Sequence, residues 1–343
     1  MVLHLARELL AMGHVVVAFG PSGGEGWLTE RFADLGVDRL FIRTRGYAET
    51  PTMVRELAAH LREQRIEVLH SHEFTMSVIG AVAARVVGCR HLMTMHGGSY
   101  YLEEPRRLMA LRLATALSDH TVAVSWSLRS ILVDALRLSP HRVDLVHNGV
   151  AARRGSGTQV RSELGLGPDE LLVVAVGNLY PVKGHAVLID ALSMIPRDAR
   201  PMVAIAGTGS EEARLRDQIR ARGVEDRVLL LGYRSDVPDL LAAGDIYVMP
   251  SLYEGLPMAM IEAMLAARAV LASDAGGISE LIPSEEFGVL VPPGDAGALK
   301  SALLRLAEAP ELRARLGEAS RRRAEAEFTA TTMTEQYLRL YQN

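Results

Sequence analysis

Short runs of β-branched and aliphatic residues recur along this chain in alternation with segments of helical pattern: VVVAF, IEVLH, HLMTM and TVAVS in the first half, then LLVVAV, MVAIAG, VLLLG, DIYVMP and AVLAS in the second. A strand that is apolar on both faces must be covered on both, the condition of a parallel sheet with helices packed on each side. The fold class is therefore α/β, and 343 residues are long for one core and comfortable for two. The stretch ARRGSGTQ, Ala152 to Gln159, is the nearest thing to a linker. We expect one doubly wound domain over residues 1–150 and a second over 151–327. A terminal helix over 328–343 has Met333, Tyr337 and Leu340 on one face at i, i+4, i+7, and packs back toward the first domain. In such sheets ligands bind at the carboxyl ends of the strands, so the cleft between the two sets of strand ends is the expected site.

A formal charge of −4 exerts no general pull toward nucleic acid or anionic lipid. The single cysteine, Cys89, cannot form an internal disulfide, which fits a reducing cytoplasm. No apolar run reaches membrane-spanning length, and the opening MVLHLARELLAMGH has polar residues at helical spacing instead of a signal-peptide core. A cytoplasmic protein is expected. The stretch EPRRLMALRLATAL sets Arg106, Arg107 and Arg112 beside Leu and Met in a helical pattern. That reads either as a solvated basic face or as a peripheral contact with the inner face of a membrane.

Three strand-end loops of the second half carry candidate chemistry. In VGNLYPVKGH, Gly177, Lys183 and Gly184 precede a helix, where free N–H groups, the helix dipole and an ammonium favour an anion; a solvated surface lysine fits the same residues. In SDAGGISELI, Gly276 and Gly277 permit close backbone approach to a phosphate, or make a plain tight turn. In SLYEGLPMAMIEAM, Glu254 falls in the loop, Pro257 suits a first helical turn, and Glu262 sits on the helix among apolar neighbours. Carboxylates are acceptor-only groups suited to gripping pairs of sugar hydroxyls. Phosphate-binding groups flanked by hydroxyl-binding groups describe a sugar nucleotide. No metal constellation is expected: His70 and His72 share a strand face, but an isolated pair reads as a polar strand end. There is no Walker A or GxSxG pattern.

The blocks VGNLYPVKGH, AGTGSEEARLR, the long run from VLLLGYRSDVPDLL through SLYEGLPMAMIEAM to SDAGGISELI, and GVLVPPGD resemble retaining family-four glycosyltransferases of the GT-B fold, in which two Rossmann-like domains face a cleft. LARELLAMGHVVVAF, VLHSHEF, MTMHG, VAVSWSLR and VHNGV are similar to that family's amino-terminal domain. The resemblance implies that Glu254 meets the donor sugar, Glu262 holds the ribose hydroxyls, Lys183 faces the diphosphate and His96 reaches the transferred sugar. It implies further donor contacts at Gly177, Asn178, Gly255 and Leu256, and at Gly232, Tyr233 and Arg234 near the nucleobase. The implied reaction is transfer from a UDP-, GDP- or ADP-sugar to a glycan, lipid or small-molecule hydroxyl, as in polysaccharide biosynthesis, without metal or cofactor. A nucleotide-sugar-binding module without turnover and a GT-B epimerase or hydrolase are the alternatives.

Two departures bear on that expectation. Asn178 stands where the family usually has an arginine; unless Arg234 fills the role, the rate falls by on the order of a hundredfold or more. The family also opens with a strand and a Gly-rich loop before the LARELL helix, where this chain begins. Either the chain starts late relative to the family or its amino-terminal domain is incomplete.

Overall fold

A computed structural model describes residues 1–21, 27–42, 50–97, 100–167 and 169–342. The chain forms two compact units, one made of Met1–Gly149 with Ala330–Asn343, the other of Val150–Thr329.

In the first unit the strands are β1 (Val17–Pro21), β2 (Asp38–Ile42), β3 (Val68–His72), β4 (Arg90–Met95), β5 (His120–Ala123) and β6 (Asp144–Leu145). β1 and β2 pair in parallel as one sheet, while β3-β4-β5-β6 form a second, also all parallel. β4 carries the centre of that sheet, with Leu92, Met93 and Met95 buried on both faces. β3 alternates instead: Leu69 and Ser71 are buried on one side, and His70 and His72 share the other. The terminal helix Ala330–Gln342 brings Met333 and Tyr337 into a core with Leu5, Leu92, Val122 and Val146, and Leu340 packs at its margin. Tyr337 is fully buried, and its hydroxyl lies 3.0 Å from Thr94 Oγ1 on β4.

The second unit holds β7 (Leu172–Val176), β8 (Met202–Ala206), β9 (Val228–Gly232), β10 (Ile246–Met249), β11 (Ala269–Ser273) and β12 (Val289–Val291), all parallel in the order β12-β11-β10-β7-β8-β9. That is the doubly wound order, with its reversal between β7 and β10. Every residue of β10 and β11 is buried, as continuous apolar strands in the middle of a two-sided sheet must be.

Three strands were not expected from sequence: β2, β6 and β12. β2 begins with the exposed pair Asp38 and Arg39 and buries only Ile42 fully, so it lacks an apolar run. β6 and β12 have two and three residues, too few to show a pattern. The first strand also starts later than VVVAF suggests, because Val15 and Val16 precede it and Val15 is exposed. The helix Pro105–Leu117 corrects the basic face expected there. Arg107 pairs with Glu104 at 2.8 Å and Arg112 turns to the Ala135 carbonyl at 3.0 Å. Only Arg106 remains on the exposed stripe with Met109 and Leu113. Among the described residues no helix is long and apolar enough to cross a membrane.

A buried histidine ties β4 to its neighbours. The Ser118 hydroxyl donates to the Ala114 carbonyl, so it accepts from His91 Nδ1 at 2.7 Å, and His91 Nε2 accepts from the Ser71 hydroxyl at 2.9 Å. Burial pushes this imidazole down to about 4, against the pull of Asp119. With the folded value depressed below 6.5, the neutral ring's contribution is complete above pH 6.5 and is lost as pH falls toward 4.

Two outcomes follow from this packing. Urea unfolding at pH 8 and at pH 5 should show a loss of about 2 kcal/mol from His91 alone at the lower pH; equal stability at both would contradict the neutral assignment. Tyr337→Ala should cost about 3 to 5 kcal/mol in the same assay, as for other buried aromatics, whereas a loss under 1 kcal/mol would mean the terminal helix is not part of the core.

Candidate active site

Connections leave β7 and β10 in opposite directions along the sheet, so the loops that follow them diverge and leave a crevice at their carboxyl ends. The β7 loop passes through a single turn, Pro181–Lys183, into the helix His185–Ser193. The β10 loop carries Ser251 and Glu254 into the helix Met258–Leu265. Backbone contacts lock the loops together. The Leu252 N–H donates to the Val182 carbonyl at 2.7 Å, and the Gly277 N–H, after β11, donates to the Glu254 carbonyl at 3.0 Å. Two glycines make this possible. Gly184 has φ +64°, and a Cβ there would lie 1.9 Å from the Pro250 carbonyl oxygen; Gly276 has φ +60°, and a Cβ there would lie 2.0 Å from the Glu254 oxygen.

Glu254 is only 8% exposed. A carboxylate so far from water needs donors, and it has two. Lys183 Nζ donates to both of its oxygens, at 2.7 and 3.0 Å, and the Ser251 hydroxyl donates to Oε1 at 2.7 Å. Beneath them Tyr247 on β10 is fully buried, and its hydroxyl has no hydrogen-bond partner. Burial first, and then the charges of Glu254 and Glu262, push this phenol well above its ordinary value. Both carboxylates of the E-x7-E segment therefore act on one buried point. Glu262 is half-buried, its own carboxyl raised by burial, and it lines a hollow of about 20 Å³ with Arg153, Val237 and Pro238. His185, the first residue of the helix after Lys183, is also buried; burial lowers it to about 4, against the pull of backbone hydrogen bonds at Asn178 and Gly177.

The remaining expected residues fall in distinct places. Asn178 and Tyr233 are exposed, Gly255 and Leu256 are buried beside Glu254 in sequence, and Gly232 ends β9 at φ +66°. The N–H groups of Gly177 and Gly277 are spent on the Ala206 and Glu254 carbonyls, so the glycine loops contribute close packing more than free phosphate donors. Arg234 is gripped by two carboxylates, Glu163 at 2.6 and 3.0 Å and Asp236 at 2.8 and 2.6 Å. Its charge is already matched, and it does not stand free as a substitute for the arginine absent at Asn178. In the first unit, His96 follows β4 and His72 ends β3; His96 Nε2 lies 3.1 Å from His72 Nδ1. Among the described residues no group of three or more His, Cys, Asp or Glu is placed to hold a metal ion.

Sequence reasoning passed over Ser251, Tyr247 and His185. Ser251 had a signal, a hydroxyl three residues before Glu254 in the same loop. Tyr247 reads as one more apolar strand residue, and His185 as the polar start of a helix.

The model of Glycosyl transferases group 1 matches residues 158–323, and that of Glycosyltransferase Family 4 matches residues 1–154. Alpha-maltose-1-phosphate synthase of Mycolicibacterium smegmatis is 30% identical over 312 residues, covering 80% of this chain and 78% of that protein. UDP-Gal:alpha-D-GlcNAc-diphosphoundecaprenol alpha-1,3-galactosyltransferase of Escherichia coli is 25% identical over 266 residues, 72% of this chain and 68% of that one. Anabaena HepE, solved in complex with UDP and glucose, superposes with a TM-score of 0.86 at 21% identity, covering 100% of this chain and 95% of that one.

Removing the ammonium leaves Glu254 shielded and unpaired. Lys183→Met should lower stability by about 2 to 3 kcal/mol, less than the about 3 to 5 kcal/mol of fully buried pairs because the lysine is partly exposed. Chemical denaturation measures it, and an unchanged midpoint would mean the pair contributes nothing to the resting fold.

Proposed function

This chain belongs to the family-4 glycosyltransferases of the GT-B fold, and from that premise we propose that it moves a hexosyl group from a nucleoside-diphosphate sugar to a hydroxyl acceptor, with retention at the anomeric carbon and no divalent ion. The observation that carries this reading is the Lys183–Glu254 pair, buried where the strand order reverses. In the transition state the sugar ring gains positive charge and the departing diphosphate negative charge. Lys183, with the amino end of the helix His185–Ser193 beside it, supplies the positive field for the diphosphate. Glu254 faces the sugar once the ammonium turns to phosphate, and Glu262 takes the ribose hydroxyls. His96 serves the transferred sugar. UDP is the nucleotide of first choice, supported by the UDP-Gal in the name of the Escherichia coli relative and by the UDP bound to HepE. A carbohydrate or lipid-linked acceptor is supported by the names of the two relatives, one acting on a diphosphoundecaprenol-linked sugar and the other making a maltose phosphate.

A second reading, binding of the donor without turnover, is favoured by one observation: Asn178 offers no charge and Arg234 is already held by Glu163 and Asp236, so neither position adds a free cation to Lys183 for the diphosphate.

Calorimetric titration with UDP, together with UDP release from UDP-hexoses, separates the two. Transfer predicts release by the wild type, a loss of at least about a hundredfold in Glu254→Gln, and tighter UDP binding in that same variant, because Lys183 no longer has a competing carboxylate. Weaker UDP binding in Glu254→Gln would contradict the competition. Binding without any release would establish the second reading.

A further inference from the structure

The carboxyl ends of β3 and β4 in the first unit carry a row of imidazoles. His72 is the last residue of β3 and pairs in register with Thr94, while His96 lies two residues beyond Thr94 on the same side. His70 is fixed at both nitrogens: Nδ1 lies 2.7 Å from the Tyr341 hydroxyl and Nε2 lies 2.8 Å from Thr94 Oγ1. Its ring lies against His72 with centroids 4.2 Å apart, and His72 in turn meets His96 through the 3.1 Å nitrogen contact. A line of fixed groups thus runs from the terminal helix through His70 and His72 to His96.

The chain also bends at His72 in a costly way. Glu73, the next residue, has φ +64°, a left-handed conformation that is unfavourable for a side-chain-bearing residue and persists only where the surroundings enforce it. That turn, at the first residue of the helix Glu73–Val87, ends β3 with the His72 ring beside His96.

Two ring nitrogens 3.1 Å apart can hold only one hydrogen between them; one ring donates and the other accepts. The choice made at His96 Nε2 dictates the state of Nδ1, the nitrogen His72 does not engage. We propose that His72 is a positioning residue for His96, fixing by this hydrogen bond its ring orientation and tautomer, and so whether His96 Nδ1 donates to or accepts from a substrate hydroxyl. The inference rests on the reading that His96 serves the transfer. Nothing in it requires either ring to be charged, and burial lowers both, His96 to about 4.

The test uses the full chain with ¹⁵N-labelled histidine and follows the ring nitrogens by NMR at pH 7.5, His96 being assigned from the His96→Gln spectrum. Wild type should show His96 in a single tautomer. His72→Phe, which keeps a ring against His70 but removes the nitrogen, should show a mixture, and His72→Asn, whose amide retains a polar atom near the Nδ1 position, should restore one form. An unchanged His96 signal in folded His72→Phe would overturn the proposal. UDP release from UDP-glucose and UDP-galactose gives the second readout: at least a tenfold lower kcat in His72→Phe with donor KM within twofold, recovered in His72→Asn. If His96→Gln itself turns over like the wild type, the role of His96 in transfer fails; if it is impaired while His72→Phe keeps wild-type kcat, the positioning role fails alone.

Discussion

One ammonium and one carboxylate, taken together out of water at the reversal of the strand order, set the terms for the rest of the second unit. Glu254 could not lie so deep without Lys183 and the Ser251 hydroxyl. Lys183 could not reach it unless Gly184 let the β7 loop press against Pro250. The third loop closes on the back of Glu254 through Gly276 and Gly277. Burial makes the pair consequential. In a shielded site a charge interacts strongly with whatever opposes it, so an arriving diphosphate can compete with the carboxylate for the ammonium. The contact that stabilises the resting protein is thereby the one that donor binding must rearrange.

The first unit solves its problem with neutral groups. His70, His72, His91 and His96 are held down by burial in the uncharged state, and all four are linked through hydroxyls or each other. A neutral imidazole offers one donor and one acceptor, and its usefulness depends on which nitrogen is which. The terminal helix matters here beyond packing, since Tyr341 and Tyr337 anchor the hydrogen-bonded chain at its far end.

The sequence made much of the second unit readable because its strands are continuous apolar runs and its loops hold residues with few structural uses: a lysine between a proline turn and a glycine, and carboxylates in an otherwise apolar stretch. β2, β6 and β12 escaped because a strand of two or three residues, or one starting with Asp38 and Arg39, has no period to detect. Pairings across long separations were invisible for a different reason. Nothing local in the sequence says that Arg234 is taken by Glu163, 71 residues away, or that Arg112 turns inward to Ala135. The paired glycines illustrate a subtler limit. They read as a phosphate loop, and the fold adds a constraint no local pattern shows, the close approach of the Gly276 backbone to that of Glu254. Tyr247 shows the converse, a residue that looks like core and is core, but whose hydroxyl lies within the influence of two carboxylates.

The most direct measurement is a crystal structure of the chain with UDP bound. Diphosphate oxygens should lie within hydrogen-bonding distance of Lys183 Nζ, with the ribose at Glu262 and Glu254 separated from the ammonium. UDP seated away from the β7 and β10 strand ends, or bound there with the Lys183–Glu254 contact intact, would contradict that arrangement.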